Sequence, residues 1–221
     1  MHDGLRAMSA SANTAPTAGS AADDIVTMLG DSAADFCQRS LPLTRLRALR
    51  NASPSFDRGL WHSMAELGWL GVALPESCGG LDLGARGAAV LCRELGKVAA
   101  PEPLVETAIA AATVLVRCDA DPALLTSLIN GDSVVSANLG GVNDDAFSAL
   151  RARADANSTS LDGALNGTPL GADADHFLVP ASLNNEPAWL LVAADANGVS
   201  IEDRQLADGA RNARLVFTAC S

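Results

Sequence analysis

Cations are scarce in this chain: 221 residues carry 15 Lys and Arg against 26 Asp and Glu, a formal net charge of −11. No run of Lys or Arg interrupts that deficit, which argues against nucleic acid as a partner, since such binding rests on neutralised phosphates. Long apolar runs are missing too. The most apolar stretch, Ala108 to Val116, falls well short of the about 20 residues that span a bilayer, so membrane insertion is not expected. Residues 1–20, MHDGLRAMSASANTAPTAGS, lack the apolar core of a signal peptide and read as a disordered Ala/Ser/Thr-rich tail. The five cysteines, Cys37, Cys78, Cys92, Cys118 and Cys220, form no C-x-x-C pair and no metal-ligand spacing. They are expected to be reduced and mostly buried in a cytoplasmic protein. No P-loop, no G-x-S-x-G and no H-E-x-x-H occurs.

What the chain does have is apolar residues, 48% of the total, enough for a real core. Their period changes along the sequence. From about Ala21 to Gly131 they recur at helical spacing: Phe56, Leu60, Met64 and Leu67; Ala88, Leu91, Cys92, Leu95 and Val98; Val105, Ile109, Ala112 and Val116. Ser53-Pro54 and Asp121-Pro122 each set a capping residue before a proline suited to the first helical position, and Gly131 closes the last helix. Beyond Gly131 come strand-length runs, Ser133–Ala137, His176–Val179, Trp189–Val192 and Arg214–Thr218. Turn formers separate them: Asn166-Gly167, Asn184-Asn185, Asn197-Gly198 and Asp208-Gly209. The predicted fold class is α+β: a helical domain over 21–131, then an antiparallel β-barrel or sandwich-like domain over 132–221.

Single constellations carry little chemistry. His62, beside Trp61 on a predicted helix, has no carboxylate or nucleophile near it in sequence and reads as structural or surface. Asp173-Ala174-Asp175-His176 has donors for a metal but no further ligands in view, so a solvated turn is expected and no metal site is assigned. Gly79-Gly80-Leu81-Asp82-Leu83-Gly84 follows no clear strand and makes a poor dinucleotide fingerprint. Trp61, Trp69 and Trp189 sit in apolar runs where core packing is the simpler account.

The order of parts says more. A helix is followed by Gly68-Trp69-x-Gly71, an apolar link, Pro75-Glu76-x-x-Gly79-Gly80, and a helix holding Arg93-Glu94-Leu95-Gly96-Lys97. Pro101-Glu102-Pro103-Leu104 then precedes an alanine-rich helix, and Leu165-Asn166-Gly167-Thr168 precedes Ala174-Asp175-His176-Phe177-Leu178-Val179. This pattern resembles the acyl-CoA dehydrogenase family, its amino-terminal helical domain and its β domain. The resemblance implies a link threaded between packed helices, with Pro75 fixing its exit and the glycines permitting the turn into the next helix. It implies FAD as cofactor, an acyl-CoA thioester losing hydrogens from Cα and Cβ, an electron-transfer acceptor, and a homo- or hetero-oligomer. On the matching positions it places Asn138, Leu139, Gly140, Gly141 and Thr168 at the flavin.

Departures from the pattern matter as much. Where the family carries a Thr-Glu-Pro-x-x-Gly-Ser-type segment after the first strand, this chain reads Ser136-Ala137-Asn138-Leu139-Gly140-Gly141. The Trp-Ile-Thr segment expected soon after Thr168 is missing. The family's second helical bundle, which commonly carries the glutamate base, has no counterpart before Ser221, so no catalytic residue is assigned and a chain cut short relative to a longer parent is expected. The alternatives are a non-catalytic partner subunit of a heteromeric acyl-CoA dehydrogenase and a binding module without redox chemistry.

Overall fold

The computed structural model describes residues 18–50, 52–139, 147–154, 159–207 and 209–220, with side chains from residue 22 onward. Helices fill the first half: α1 (Ala18–Ser40), α2 (Leu43–Leu49), α3 (Arg58–Glu66), α4 (Gly84–Lys97), a π-helix (Leu104–Ala111) running into α5 (Ala112–Arg117), and α6 (Pro122–Ile129). The caps divide. Asp121 holds α6 as expected, accepting from Ala123 N at 2.8 Å with Pro122 in the first turn. Ser53-Pro54 starts no helix; α3 is capped by Asp57, whose carboxylate accepts from Gly59 N and Leu60 N. Gly131, at φ 79°, takes the left-handed turn after α6.

The link that opens α4 is built as the glycine pattern implied. Gly68 (φ 77°) stops α3, and Trp69, Leu70, Val72 and Leu74 are all at most 2% exposed. The chain folds back on itself, with Leu81 N, Asp82 N and Leu83 N donating to the carbonyls of Gly71, Leu74 and Val72. That return leaves no room at Gly80, where a Cβ would overlap the Leu74 carbonyl and lie 2.7 Å from the Gly71 oxygen. Trp69 packs edge-on against Phe36 of α1 (5.1 Å) and Trp61 against Phe56 (6.3 Å), so both are core. Trp189 is half-buried, edge-on to Phe147.

Among the described residues seven strands follow: β1 (Val135–Ala137), β2 (Leu150–Ala154), β3 (Thr159–Pro169), β4 (His176–Leu183), β5 (Glu186–Ala193), β6 (Val199–Gln205) and β7 (Arg211–Cys220). The sheet runs β1-β4-β2-β3-β7-β6, with β5 also on β4. It is mixed, not purely antiparallel: β4 receives β1 and β2 in parallel along one edge, β1 at His176–Leu178 and β2 at Ser182–Leu183. Strands β2 and β6 escape notice in the sequence because their outward residues are charged and alternate weakly. Asn166-Gly167 is not a turn between strands but lies inside β3, at a register shift against β7.

One apolar cluster runs from the helices into the sheet, joining Ala33, Phe36, Trp69 and Leu91 to Val134, Leu150, Phe177 and Leu215. At about 25 cal/mol per Å² of apolar surface, fully burying each such side chain stabilises by roughly 1.5–3 kcal/mol. Among the described residues no helix is long and apolar enough to cross a membrane. All five cysteines are free; Cys37 and Cys220 are buried, Cys78 and Cys92 half-buried and Cys118 exposed, so most are not buried as expected.

Candidate functional site

β1 is the element that gathers the residues singled out above. It is fully buried, and side-chain hydrogen bonds tie it to the π-helix and to β3. Thr107 of the π-helix donates to the Val135 carbonyl (2.9 Å), and Ser136 donates to the Pro169 carbonyl at the end of β3 (2.7 Å). One residue past β1, Asn138 donates through its backbone to Leu178 O (2.9 Å) and through Nδ2 to Thr168 Oγ1 (2.7 Å) and Asn166 O (3.3 Å). Asn138 and Thr168, 30 positions apart, thus meet in the interior at 1% and 0% exposure.

The β3 irregularity explains how Thr168 turns inward. Gly167 sits at φ 74°, and the register against β7 shifts between Leu165 and Thr168. A bulge of this kind re-aims the following side chain; Asn166 and Gly167 are left exposed while Thr168 is buried. Leu139, next along from Asn138, emerges at 44% exposure. Gly140 and Gly141 lie outside the described residues.

The π-helix is a signal that helical periodicity missed. The expected stripe of Val105, Ile109, Ala112 and Val116 assumes 3.6 residues per turn, but i→i+5 winding over Leu104–Ala111 rotates the face. Leu104, Thr107, Ala108 and Ala111 turn inward and Val105 outward, 53% exposed. Val105 and Glu106 thereby line an open cleft of about 850 Å³ between the helices and the sheet. Its other walls come from Arg47 and Arg50 at the end of α2, Pro169 and Leu170 at the end of β3, and Arg211 of β7.

Beneath this cleft Glu102 and Arg45 form a buried ion pair, with Glu102 also accepting from Asp57 N. Burial pushes the Glu102 carboxyl above its ordinary value, and Arg45 pulls the other way without cancelling it. The net direction follows from full enclosure: the Glu102 side chain is 0% exposed, and among the described residues its Oε2 has no partner.

Asp173-Ala174-Asp175-His176 is a hydrogen-bonded clasp, not a solvated turn. Asp173, 5% exposed, accepts from Ser55 N (2.7 Å) and Ser53 Oγ (3.3 Å). Asp175 accepts a two-pronged ion pair from Arg58 (2.9 and 3.1 Å) and from Val134 N (2.8 Å). The segment clasps the loop before α3 to the entrance of β1 and β4. Among the described residues no group of three metal-binding side chains occurs. His62 pairs at 3.4 Å with Asp132 on the surface, its other ring nitrogen bonded to the Arg58 carbonyl at 2.8 Å.

Residues 24–119 match the family description "Acyl-CoA dehydrogenase, N-terminal domain". Acyl-CoA dehydrogenase FadE27 of Mycobacterium tuberculosis is 31% identical over 159 residues, 70% of this chain and 42% of that protein. A solved structure described as a Tcur3481-Tcur3483 steroid ACAD variant superposes with a TM-score of 0.78 at 31% identity, over 90% of this chain and 56% of that one. The ChsE4-ChsE5 complex from Mycobacterium tuberculosis does so with a TM-score of 0.77 at 27% identity, over 88% and 54%. The chain therefore spans about half the length of the relatives that it matches.

Proposed function

The chain belongs to the acyl-CoA dehydrogenase family, and on that premise we propose that it takes part in the flavin-dependent α,β-dehydrogenation of an acyl-CoA thioester. The observation that carries this reading is the buried Asn138–Thr168 bond. It joins the two stretches that the family resemblance assigns to the flavin, although they stand far apart in sequence. Both side chains are enclosed, at 1% and 0% exposure, so they suit a flavin by bracing the backbone beside it.

FAD, when bound, supplies acceptance of the two hydrogens and two electrons that leave Cα and Cβ. The chain's own residues do the positioning. Asn138 and Thr168 fix the backbone at the exit of β1, where Leu139 emerges. The apolar wall of the cleft, Leu104, Val105 and Leu170, keeps water from a thioester lodged there. The base that removes the Cα proton is not assigned to this chain. Asn138→Ala and Thr168→Val each remove the bond between the two stretches, and both are expected to lower flavin content in the native assembly. Undiminished flavin in both variants rules out this placement.

A second reading is favoured by two relatives. The structures most informative for this chain are described as a Tcur3481-Tcur3483 protein and as a ChsE4-ChsE5 complex. By that analogy the chain is one subunit of a heteromer and its flavin contacts are partial, in keeping with Asn138-Leu139-Gly140-Gly141 where a Thr-Glu-Pro segment is usual. Co-purification with a flavin-bearing homologue, and no flavin when alone, supports this reading; a flavin-loaded homo-oligomer excludes it.

A further inference from the structure

The cleft between the helices and the sheet carries a charged group that the reading above does not use. Among the described residues two carboxylates line it, Glu102 and Glu106. Glu102 is committed, its side chain enclosed against Arg45 and the Asp57 N–H. Glu106 is half-buried and takes part in no hydrogen bond or ion pair among the described residues. The π-helix places it there. Thr107, the next residue, turns inward to bond Val135 O of β1, while Glu106 stays on the cleft wall near Cys92 of α4. Burial, and then the charge of Glu106, push the Cys92 thiol up. The sheet side of the same cleft holds Pro169 and Leu170, directly after Thr168.

The surroundings of Glu106 decide which ligand it accepts. Leu46, Leu95, Leu104 and Leu170 give the cleft apolar surface. A plain alkyl chain filling it would take water from the Glu106 carboxylate and return no hydrogen bond, which is costly for a charged group. An ammonium group would satisfy the carboxylate, but Arg47, Arg50 and Arg211 line the cleft as well and repel a cation. A second carboxylate would meet Glu106 as a like charge. Nor is Arg211 waiting for one, since it already donates to Asp203 and to the Ala52 carbonyl. A neutral O–H donor satisfies Glu106 without either repulsion.

We propose that Glu106 sets the acyl specificity of this cleft, selecting an acyl group that carries a hydroxyl away from its thioester and accepting a hydrogen bond from that hydroxyl. The inference rests on the acyl-CoA dehydrogenase reading and names the substrate class for it. The thioester lies toward Pro169 and Leu170, next to the pair that braces the backbone, and the chain extends across the cleft to Glu106 on the helical side. In this role Glu106 removes no proton and meets no reacting carbon. The cleft, about 850 Å³, has the size of small-molecule sites, about 300–1,000 Å³.

The test is equilibrium dialysis of the native assembly against butanoyl-, octanoyl- and dodecanoyl-CoA, each beside its ω-hydroxy and ω-carboxy counterparts, for the wild type, Glu106→Leu and Glu106→Gln. At one chain length or more the ω-hydroxy thioester is expected to bind at least about tenfold more tightly than the plain one, as for a hydrogen bond to a charged group. That preference is expected to vanish in Glu106→Leu and to survive in part in Glu106→Gln, which keeps an acceptor. Plain thioesters binding as tightly at every length, an ω-carboxy thioester binding tightest, or a preference unchanged in Glu106→Leu overturns the proposal. Flavin reduction by the same thioesters separates the two failures. A hydroxyl preference without flavin reduction removes the functional reading and leaves the specificity; flavin reduction without the preference removes this inference alone. No binding of any thioester removes both.

Discussion

Replacing Asp173 by alanine tests how the helices are fastened to the sheet. Its carboxylate is 5% exposed, accepts the Ser55 backbone N–H at 2.7 Å, and takes a longer bond from Ser53 Oγ at 3.3 Å. A hydrogen bond to a charged group contributes about 1.5–3 kcal/mol, and the longer neutral donor about 0.5–1.5. Alanine removes both and strands the Ser55 N–H, so a loss of about 3 kcal/mol is expected in urea unfolding, with the m-value unchanged. For a chain of this size that is a fall in Tm of roughly 6–12 °C. Asn at the same position keeps an acceptor for Ser55 but no charge, and is expected to fall between alanine and wild type. Asp24, exposed on α1, is the control, with alanine there expected within about 0.5 kcal/mol of wild type. If Asp173→Ala is as mild as that control, the clasp contributes nothing and the loop before α3 is held by other contacts.

Gly80→Ala is expected to give insoluble or unfolded protein, since its Cβ would overlap the Leu74 carbonyl, whereas Gly96→Ala, with nothing within 4 Å, is expected to match or exceed wild-type stability; equal melts for the two refute the packing described for the link. Glu102 gives a pH signature. Because burial raises its folded value above the ordinary 4.5, the native state holds the proton more tightly, and stability contributed by protonation is lost as pH rises from 4.5 through the folded value, by up to about 1.4 kcal/mol per unit. Glu102→Gln is expected to be less stable near neutrality, because Arg45 loses its partner, yet to lack that downward slope in a pH series of melts; the same slope in both proteins refutes the assignment. In thiol labelling, Cys118 is expected to react first in the folded protein, and Cys37 and Cys220, whose thiols burial pushes up, only on unfolding. Fast labelling of Cys37 refutes its burial.

Much of this structure is legible in the residue order, and the misses have physical causes. Periodicity locates α3, α4 and α6, and glycine chemistry at Gly68, Gly80 and Gly131 locates the turns, because these depend on local geometry. The π-helix rotates Val105 outward against the 3.6-residue expectation and turns Thr107 inward to bond β1, a long-range contact that local periodicity does not carry. Ser53-Pro54 carries the right residues for a helix start, but Ser55 is held by an aspartate far away in sequence, and that tertiary contact moves the start to Arg58. The parallel pairing of β1 and β2 on β4 likewise depends on long-range partners that strand-length runs do not reveal. At the site, Asn138 and Thr168 were marked by resemblance; their direct bond was not readable, because it requires the Gly167 bulge to turn Thr168 inward.

The most direct test of the proposed function is an anaerobic titration of the native assembly, isolated with whatever chains accompany this one, by acyl-CoA thioesters while the visible flavin spectrum is followed. Stoichiometric bleaching of bound flavin with formation of the α,β-unsaturated thioester is the expected result, reduced when Thr168→Val is introduced. An assembly that holds no flavin, or whose flavin is untouched by every acyl-CoA tried, would contradict it.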